Sequence, residues 1–259
     1  MIRYPWTGRD EDRFVKTITV NSRKGGAGKT TVSVSLAMAA RQAGLRVVLA
    51  DMDPLRSSTE ILKSRAEAAS MLIETNAGKL WVLLENCKRN GCDLLVIDTP
   101  TSPESEIVHC MTHSDLVLAV TRPTFLDLAA VRDTIALVQR TPTPGLVVLN
   151  QCPPKRNGEE NPVVIDAIQR LRFGKLPVAK SVLRSRIAYQ HAFASNCGVT
   201  EWDVNSEAAA DVLWLLAEIS KHLALAPAKT APLPRALRRR PQGSSPVRAM
   251  QSALRRLVG

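Results

Sequence analysis

Aromatic residues are scarce in this 259-residue chain, in which Phe, Trp and Tyr together make up 4% of the sequence. Proteins that bind single-stranded nucleic acid by base stacking depend on aromatic side chains, so this composition argues against that mode of binding. No apolar run approaches the roughly 20 residues that a membrane-spanning helix needs. The start of the chain, residues 1–13, is polar and mixed in charge, unlike a secretory signal peptide. We therefore expect a cytoplasmic protein.

Cysteine is also sparse, and the five cysteines contain no Cys-x-x-Cys pair. An odd number of scattered cysteines disfavours a disulfide framework and favours reduced thiols. The same spacing disfavours a metal centre built from paired cysteines.

Acidic residues are absent from 227–259, although eight basic residues lie there. Of the net charge of +11, this stretch carries eight, which leaves +3 for residues 1–226. Prolines at its start predict an extended linker, and its last residues, 247–259, predict a short basic amphipathic helix that is too short to be stable alone in water. We therefore divide the chain into an N-terminal extension (1–13), a folded domain (14–226) and a Pro-rich basic tail (227–259).

Short apolar runs alternate with helical patterns along the folded domain. This alternation predicts an α/β fold with a mostly parallel, twisted sheet and helices on both faces. The expected strands are Phe14–Val20, Arg46–Ala50, Leu94–Ile97, Leu116–Val120, Leu146–Leu149 and a weaker one near Pro177–Ala179. The expected helices lie near Thr31–Ala43, Ser58–Ala68, Lys79–Asn90, Ser105–Thr112, Leu126–Arg140, Val163–Arg172 and Ser206–Ala224.

The loop between the first strand and the first helix reads Arg-Lys-Gly-Gly-Ala-Gly-Lys-Thr-Thr from Arg23 to Thr31. Strand, Gly-rich loop and helix form the setting of a phosphate-binding loop. Glycines let successive N–H groups face one phosphate chain, and the helix N-terminus adds its positive dipole end. Lys29 would reach the β- and γ-phosphates, and the Thr30 hydroxyl would bind Mg²⁺.

Acidic residues follow two later strands, where an NTPase needs them to hold Mg²⁺ and orient water. Asp51 and Asp53 follow the second expected strand, and Asp98 follows the third. An Asp after a strand is often only a turn former or a helix cap. The order of these acids after the Gly-rich loop favours the functional interpretation.

The loop spelling departs from Gly-x-x-x-x-Gly-Lys-Ser/Thr, because Arg23 stands where glycine is expected and Lys24 precedes the glycine pair. This spelling resembles the deviant Walker A loop of the ParA/MinD family of ATPases, and the Asp-x-Asp-Pro at 51–54 resembles that of small plasmid-type ParA proteins. Further segments that resemble the family are 121–127, 150–154, 183–187 and 198–200.

The resemblance implies a P-loop NTPase-like domain that hydrolyses ATP with Mg²⁺ and forms a homodimer on ATP. It implies that Lys24 reaches the partner subunit's phosphates, that Asp53 positions water with support from Asp51, and that Asp98 holds Mg²⁺ through water. Asn150 would contact adenine. The remaining nucleotide-binding residues that it implies are Gly25, Gly26, Ala27, Gly28, Lys29, Thr30 and Thr31.

Such ATPases act as slow timers in partition and positioning, and usually meet an adaptor protein that stimulates hydrolysis. The resemblance therefore favours nonspecific DNA as a partner of the ATP-bound dimer, with a nucleoid-associated location. The basic residues that could contact DNA are Lys180, Arg184, Arg186, Arg238, Arg239 and Arg240, with Arg170, Arg172 and Lys175 as further surface candidates.

Two alternatives stay open at this point. The C-terminal amphipathic segment resembles a MinD-type membrane anchor, although its apolar face is small, and the tail could also have another partner or none. A metal-loading ATPase of the same superfamily is disfavoured, because the scattered cysteines supply no paired-cysteine cluster site.

Overall fold

A six-stranded, all-parallel sheet forms the centre of the protein in a computed structural model that describes residues 15–101 and 103–225. The expected extension at 1–13 and the basic tail at 227–259 lie outside the described residues. The strands are β1 (Lys16–Asn21), β2 (Val47–Asp51), β3 (Leu72–Glu74), β4 (Leu94–Asp98), β5 (Leu116–Thr121) and β6 (Gly145–Leu149). Their order in the sheet is β3-β2-β4-β1-β5-β6.

Ten α-helices lie among the described residues. They are α1 (Lys29–Gln42), α2 (Ser57–Leu62), α3 (Ala68–Met71), α4 (Leu80–Arg89), α5 (Glu104–Thr112), α6 (Phe125–Val138), α7 (Pro162–Leu171), α8 (Ala188–Ala194), α9 (Val199–Trp202) and α10 (Glu207–Leu223). A 3-10 turn at Ala77–Lys79 precedes α4.

The strands are apolar on both faces because helices cover both faces. Alternate residues point to opposite sides of a strand, so Val47 and Leu49 join the core beneath α1 and α10, whereas Val48 and Ala50 join the core beneath α4 and α5. On the second face, α6 and α7 cover β5 and β6. Continuous apolar strands of this kind are typical of parallel sheets buried on both sides, and the predicted fold class is confirmed.

Three local expectations differ from the structure. The helix expected over Ser58–Ala68 ends at Leu62, and the chain turns before α3. In this turn, Arg65 donates two hydrogen bonds to the Glu201 carboxylate of α9, at 3.0 and 2.9 Å. The three-residue edge strand β3 was not expected, nor were α8 and α9. A tertiary ion pair and a short edge strand leave little periodic signal in a sequence.

The weak strand expected near Pro177–Ala179 is a single parallel bridge between Val147 and Val178 at the edge of β6. The Val147 N–H donates to the carbonyl of Pro177, and the Ala179 N–H donates to the carbonyl of Val147, both at 2.8 Å. Proline lacks an N–H and is confined to sheet edges, which suits this position.

Candidate functional site

The parallel sheet brings the ends of three strands to one place. Along β4, Asp98 is in register with Val20 of β1 on one side and with Asp51 of β2 on the other. The Gly-rich loop leaves the sheet just after β1, so it lies beside both carboxylates. Ligands of open α/β sheets bind at this carboxyl edge, where strand order reverses.

The Gly-rich loop takes backbone conformations that only glycine adopts without strain. Gly26 has φ +75° and Gly28 has φ +94°, both in the left-handed region. A Cβ on Gly28 would also lie 2.0 Å from the Asn150 amide nitrogen. The loop therefore needs glycine at position 28 for two reasons, namely the left-handed backbone and the lack of space for a side chain.

Two amides from the end of β6 hold the loop from outside. Asn150 donates its Nδ2 to the carbonyl of Ala27 at 2.9 Å, and Gln151 donates its Nε2 to the carbonyl of Gly26 at 3.0 Å. Asn150 is 2% exposed. In this arrangement its amide supports the loop, and the expected contact with adenine stays a proposal.

Lys29 begins α1 and points its buried ammonium toward the acids. Burial lowers the pKa of this lysine, while the negative charges of Asp98 and Asp53 oppose that shift. No acidic residue stands in the first turn of α1, so the positive end of the helix dipole is available to an anion.

Asp98 lies fully buried among hydroxyl groups. Ser58 donates to one carboxylate oxygen at 2.7 Å and Ser33 to the other at 3.2 Å, and Thr30 also hydrogen bonds this carboxyl group. Burial, with a smaller contribution from the neighbouring Asp51, raises the pKa of Asp98 to about 6, although the hydroxyls of Ser58 and Thr30 and the charge of Lys29 lower it. Burial is therefore the main influence on the protonation of this carboxyl group.

Asp51, the last residue of β2, and Asp53 form a connected pair. Asp51 is buried and accepts both the N–H and the hydroxyl of Thr59, at 2.8 and 2.9 Å, and so fixes the first turn of α2. Burial raises the pKa of Asp51, against the hydrogen bonds from Thr59. The Asp53 N–H donates to Asp51, and its carboxylate accepts the N–H of Leu55 at 3.0 Å. Asp51 thus holds the start of α2, whereas Asp53 holds the turn before it and also acts electrostatically on Lys29.

Lys24 points away from the acids that Lys29 faces. Its ammonium pairs with Asp127, near the start of α6, at 3.3 Å, and its side chain is 32% exposed. Burial would raise the pKa of Asp127, but hydrogen bonds from Thr124, Arg122 and Lys24 outweigh it and lower that pKa. Lys24 is therefore held at the surface beside the loop.

A family model for the CobQ/CobB/MinD/ParA nucleotide-binding domain matches residues 18–197, more than half of the chain. The chain belongs to this family. The expected membership of the ParA/MinD ATPases is confirmed.

Curated relatives of the family include two proteins named for maintenance of carboxysome distribution. The chain is 31% identical to the Gloeobacter kilaueensis protein over 73% of its own length and 86% of the relative's. It is 29% identical to the Halothiobacillus neapolitanus protein over 75% of its own length and 91% of the relative's. A chromosome-partitioning ATPase, Soj of Thermus thermophilus, is 25% identical over 48% and 62% of the two chains.

Solved structures support the same fold. An ATP complex of a Cyanothece McdA variant aligns over 85% of this chain and 99% of that one, with a TM-score of 0.66 and 16% identity. MinD of Pyrococcus horikoshii with Mg-ADP aligns over 84% and 100%, with a TM-score of 0.66 and 17% identity.

As a member of this family, the ParA/MinD-type chain is an ATPase that binds ATP with Mg²⁺. Its own residues fit both ligands. The loop presents glycines, a buried lysine and a helix start to a phosphate chain, and the Thr30 hydroxyl and the Asp98 carboxylate are the oxygen donors that Mg²⁺ prefers. Bound Mg²⁺ would favour the charged form of Asp98, whose pKa burial raises.

Among residues 15–101 and 103–225, no group of three or more His, Cys, Asp or Glu side chains could hold a metal by itself. Mg²⁺ commonly uses one or two carboxylates together with substrate phosphates and water. The pairing of Thr30 with Asp98 is of that kind.

The structure separates the expected DNA-binding residues of the body. Arg184 is 5% exposed, and its guanidinium pairs with Glu160 at 2.7 Å and donates to the carbonyl of Pro153 at 2.7 Å. The expectation that Arg184 is a surface charge is therefore wrong. Arg186 pairs with Glu207 and Asp211, which compensates its charge, whereas Lys180 is exposed. Arg238, Arg239 and Arg240 lie outside the described residues.

Several supporting residues were missed from the sequence. Ser33 and Ser58 hold Asp98, Thr59 holds Asp51, and Asp127 holds Lys24. A hydroxyl in the first turns of a helix is a common signal that has many meanings, so spacing alone did not identify their partners. In the described part of the chain, no helix is long and apolar enough to cross a membrane.

Proposed function

We propose that this ATPase is a positioning protein that closes into a homodimer on Mg-ATP, binds DNA without sequence preference in that state, and is released by slow hydrolysis. The observation that carries the proposal is that the two loop lysines lie in different surroundings. Lys29 is buried and faces Asp98 and Asp53, whereas Lys24 is partly exposed and faces Asp127.

Lys24 suits a contact between subunits because its side chain is partly exposed and pairs with Asp127 of α6. Its ion pair with Asp127 holds the ammonium at the surface beside the phosphate-binding loop. A second subunit that faces this loop would bring its nucleotide within reach of such a lysine. Exchange of Asp127 for a partner's phosphate would then couple ATP binding to dimer formation.

The two acids at the end of β2, Asp51 and Asp53, suit the hydrolytic step. Asp53 is the more exposed of the pair and lies near Lys29, so it is placed to orient a water molecule beside the phosphate-binding loop. Asp51 is buried and fixed by Thr59, and it accepts the Asp53 N–H. Asp51 therefore positions Asp53.

DNA binding rests on charge at two places. The tail at 227–259 carries eight basic residues and no acid, and on the body Lys180, Arg172 and Lys175 are exposed. Contacts between basic side chains and phosphates position a protein on DNA without reading sequence.

The test compares the full chain with a chain cut before Pro227, in DNA binding at several salt concentrations with ATP and with ADP. If about five tail cations meet phosphates, the log of affinity should fall with the log of salt about 4–5 units more steeply in the full chain. An equal salt slope in the two chains, or equal binding with ATP and ADP, would contradict the proposal.

Liposomes of anionic lipid provide the second arm of this test. If truncation abolishes liposome binding and leaves the DNA salt slope unchanged, the tail is a membrane anchor of the kind that MinD-type proteins use. Leu254→Glu separates the two, because it spoils an apolar face but keeps every tail cation.

The cargo is proposed from the curated relatives. The carboxysome-distribution proteins are covered over 86% and 91% of their lengths, against 62% for the chromosome-partitioning relative. This favours a large protein assembly as the cargo, linked through an adaptor protein that stimulates hydrolysis. Tracking of a labelled assembly in cells that carry Lys29→Ala tests it, since a chromosomal cargo would leave the assembly evenly distributed.

A further inference from the structure

A groove on the outer side of α6 is not used by the nucleotide site. One wall is a stripe of four α6 residues and the residue that caps the helix, namely Phe125, Ala129, Arg132, Ala136 and Gln139. The opposite wall is formed after α7 by residues that include Phe173 and Lys175. We call this the α6 groove. It encloses about 510 Å³, a volume within the range of sites that bind ligands.

The α6 groove exposes large apolar side chains. Phe125 is 75% exposed and Phe173 is 92% exposed, and both line the groove. Aromatic residues are enriched where proteins bind one another and often dominate the affinity. Since the chain has only four Phe residues, two of them at one exposed groove mark it as a docking surface.

The spacing of the α6 stripe fits a helix as the occupant. Its residues are separated by four, three, four and three positions, so they lie in one line along α6. A second helix can lie along such a line of side chains. Ala129 and Ala136 are both exposed, and their small side chains let the backbone of a second helix approach closely.

The charge of the α6 groove selects an acidic occupant. Arg132, Arg170 and Lys175 line it, and no carboxylate is among its lining residues in the described part of the chain. Arg170 pairs with Asp166 at 2.7 Å, which leaves Arg132 and Lys175 as the main cations. The chain's own tail carries eight basic residues and no acid, so charge disfavours the tail as the occupant.

We propose that the α6 groove docks an acidic amphipathic helix of a partner protein, with the apolar face of the helix on the two Phe side chains and its acids on Arg132 and Lys175. The identity of this partner as the adaptor rests on the proposed function. A lipid surface would fit the exposed Phe residues but not the concave wall, and a DNA backbone would fit the cations but not the apolar lining.

The probe is a fluorescent helical peptide of about three heptads, with Leu on one stripe and Glu on both flanks, and its binding is followed by anisotropy. Phe173→Ser removes an exposed apolar anchor, and Arg132→Glu with Lys175→Glu reverses the rim charge. Each change should weaken binding at least about tenfold. A peptide with Lys in place of Glu should bind the wild type weakly and the charge-reversed variant better.

Matched controls lie on α4. Trp81 is 63% exposed there, and Lys88 and Arg89 are exposed about two turns further along the same helix. Trp81→Ser, and Lys88→Glu with Arg89→Glu, should leave peptide affinity within about twofold, because they change the same kinds of side chain on another surface. Equal losses in the α4 and α6 variants would overturn the proposal, as would the absence of peptide binding at high micromolar concentration.

Three further measurements identify the wrong occupants. Phe173→Ser must leave three properties unchanged, namely self-association in light scattering, binding to phosphatidylglycerol vesicles and affinity for duplex DNA. Loss of any one would assign the groove to a second copy, a membrane or DNA, and would overturn the proposal. Calorimetric titration of ATP into the same samples keeps the two proposals distinct. A wild type that does not bind ATP would refute the proposed function, whereas the peptide-binding results alone test the docking of a helix in the α6 groove.

Discussion

The three glycines of the phosphate-binding loop provide a graded test of its geometry. Gly25 has neither a left-handed backbone nor any atom within 4 Å of an added Cβ. Gly26 has a left-handed backbone with φ +75° and open space around it, and Gly28 has φ +94° and the Asn150 amide 2.0 Å from an added Cβ. Substitution by Ala should therefore cost progressively more stability along this series.

The magnitudes follow from the contacts. Gly25→Ala should be neutral or stabilising by up to about 1 kcal/mol, because Ala restricts the unfolded chain. Gly26→Ala should cost about 1–2 kcal/mol for a left-handed Ala. Gly28→Ala has the same backbone strain and also displaces the Asn150 side chain. Displacement breaks the hydrogen bond from Asn150 to Ala27 and leaves a buried amide without a partner, at a further cost of about 1–3 kcal/mol.

The assay is urea unfolding of the nucleotide-free protein, followed by circular dichroism. A cycle with Asn150→Ala isolates the clash: in that background Gly28→Ala should cost only the strain, about 1–2 kcal/mol. If Gly28→Ala is no more destabilising than Gly26→Ala, or if its cost is unchanged without the Asn150 side chain, the close approach of Asn150 to the loop is wrong.

Four further predictions concern the charged groups of the site. Lys29→Ala should abolish ATP binding in calorimetry, because the ammonium is the buried cation of the loop, and unchanged affinity would refute this assignment. Asp53→Asn keeps the acceptor for the Leu55 N–H but removes the charge, so turnover should fall at least about tenfold while ATP affinity holds; unchanged turnover would leave Asp53 a turn residue only. Lys24→Ala should prevent ATP-dependent dimerisation in light scattering while ATP binding persists, and a fully active wild-type monomer with ATP would exclude the dimer. Because the pKa of Asp98 is raised to about 6, the folded state binds more protons than the unfolded state between about pH 4 and 6, and stability from this group is lost as pH rises through that window. Asp98→Asn should remove that loss, on the order of 2–3 kcal/mol, and equal pH dependence of urea unfolding in the two proteins would contradict it.

The sequence by itself determined the fold class and the main chemistry. Apolar runs such as Leu94–Ile97 are continuous because helices cover both faces of a parallel sheet, and that pattern is visible without coordinates. The sequence motif from Arg23 to Thr31 identified the phosphate-binding loop because the signal is local. The glycines, the lysine and the hydroxyls must be close together in the sequence to surround one phosphate chain.

The tertiary structure decided everything that depends on residues far apart in the chain. The register sets Asp98 beside Asp51, which is 47 residues away in the sequence. The Asn150 amide bonds Ala27 across 123 residues, and Lys24 pairs with Asp127 across 103. The burial of Arg184 against Glu160 could not be predicted either, because the sequence does not show whether an arginine contacts solvent or a carboxylate. Local spacing fixes which groups are consecutive, whereas packing of the sheet and its helices fixes which groups meet.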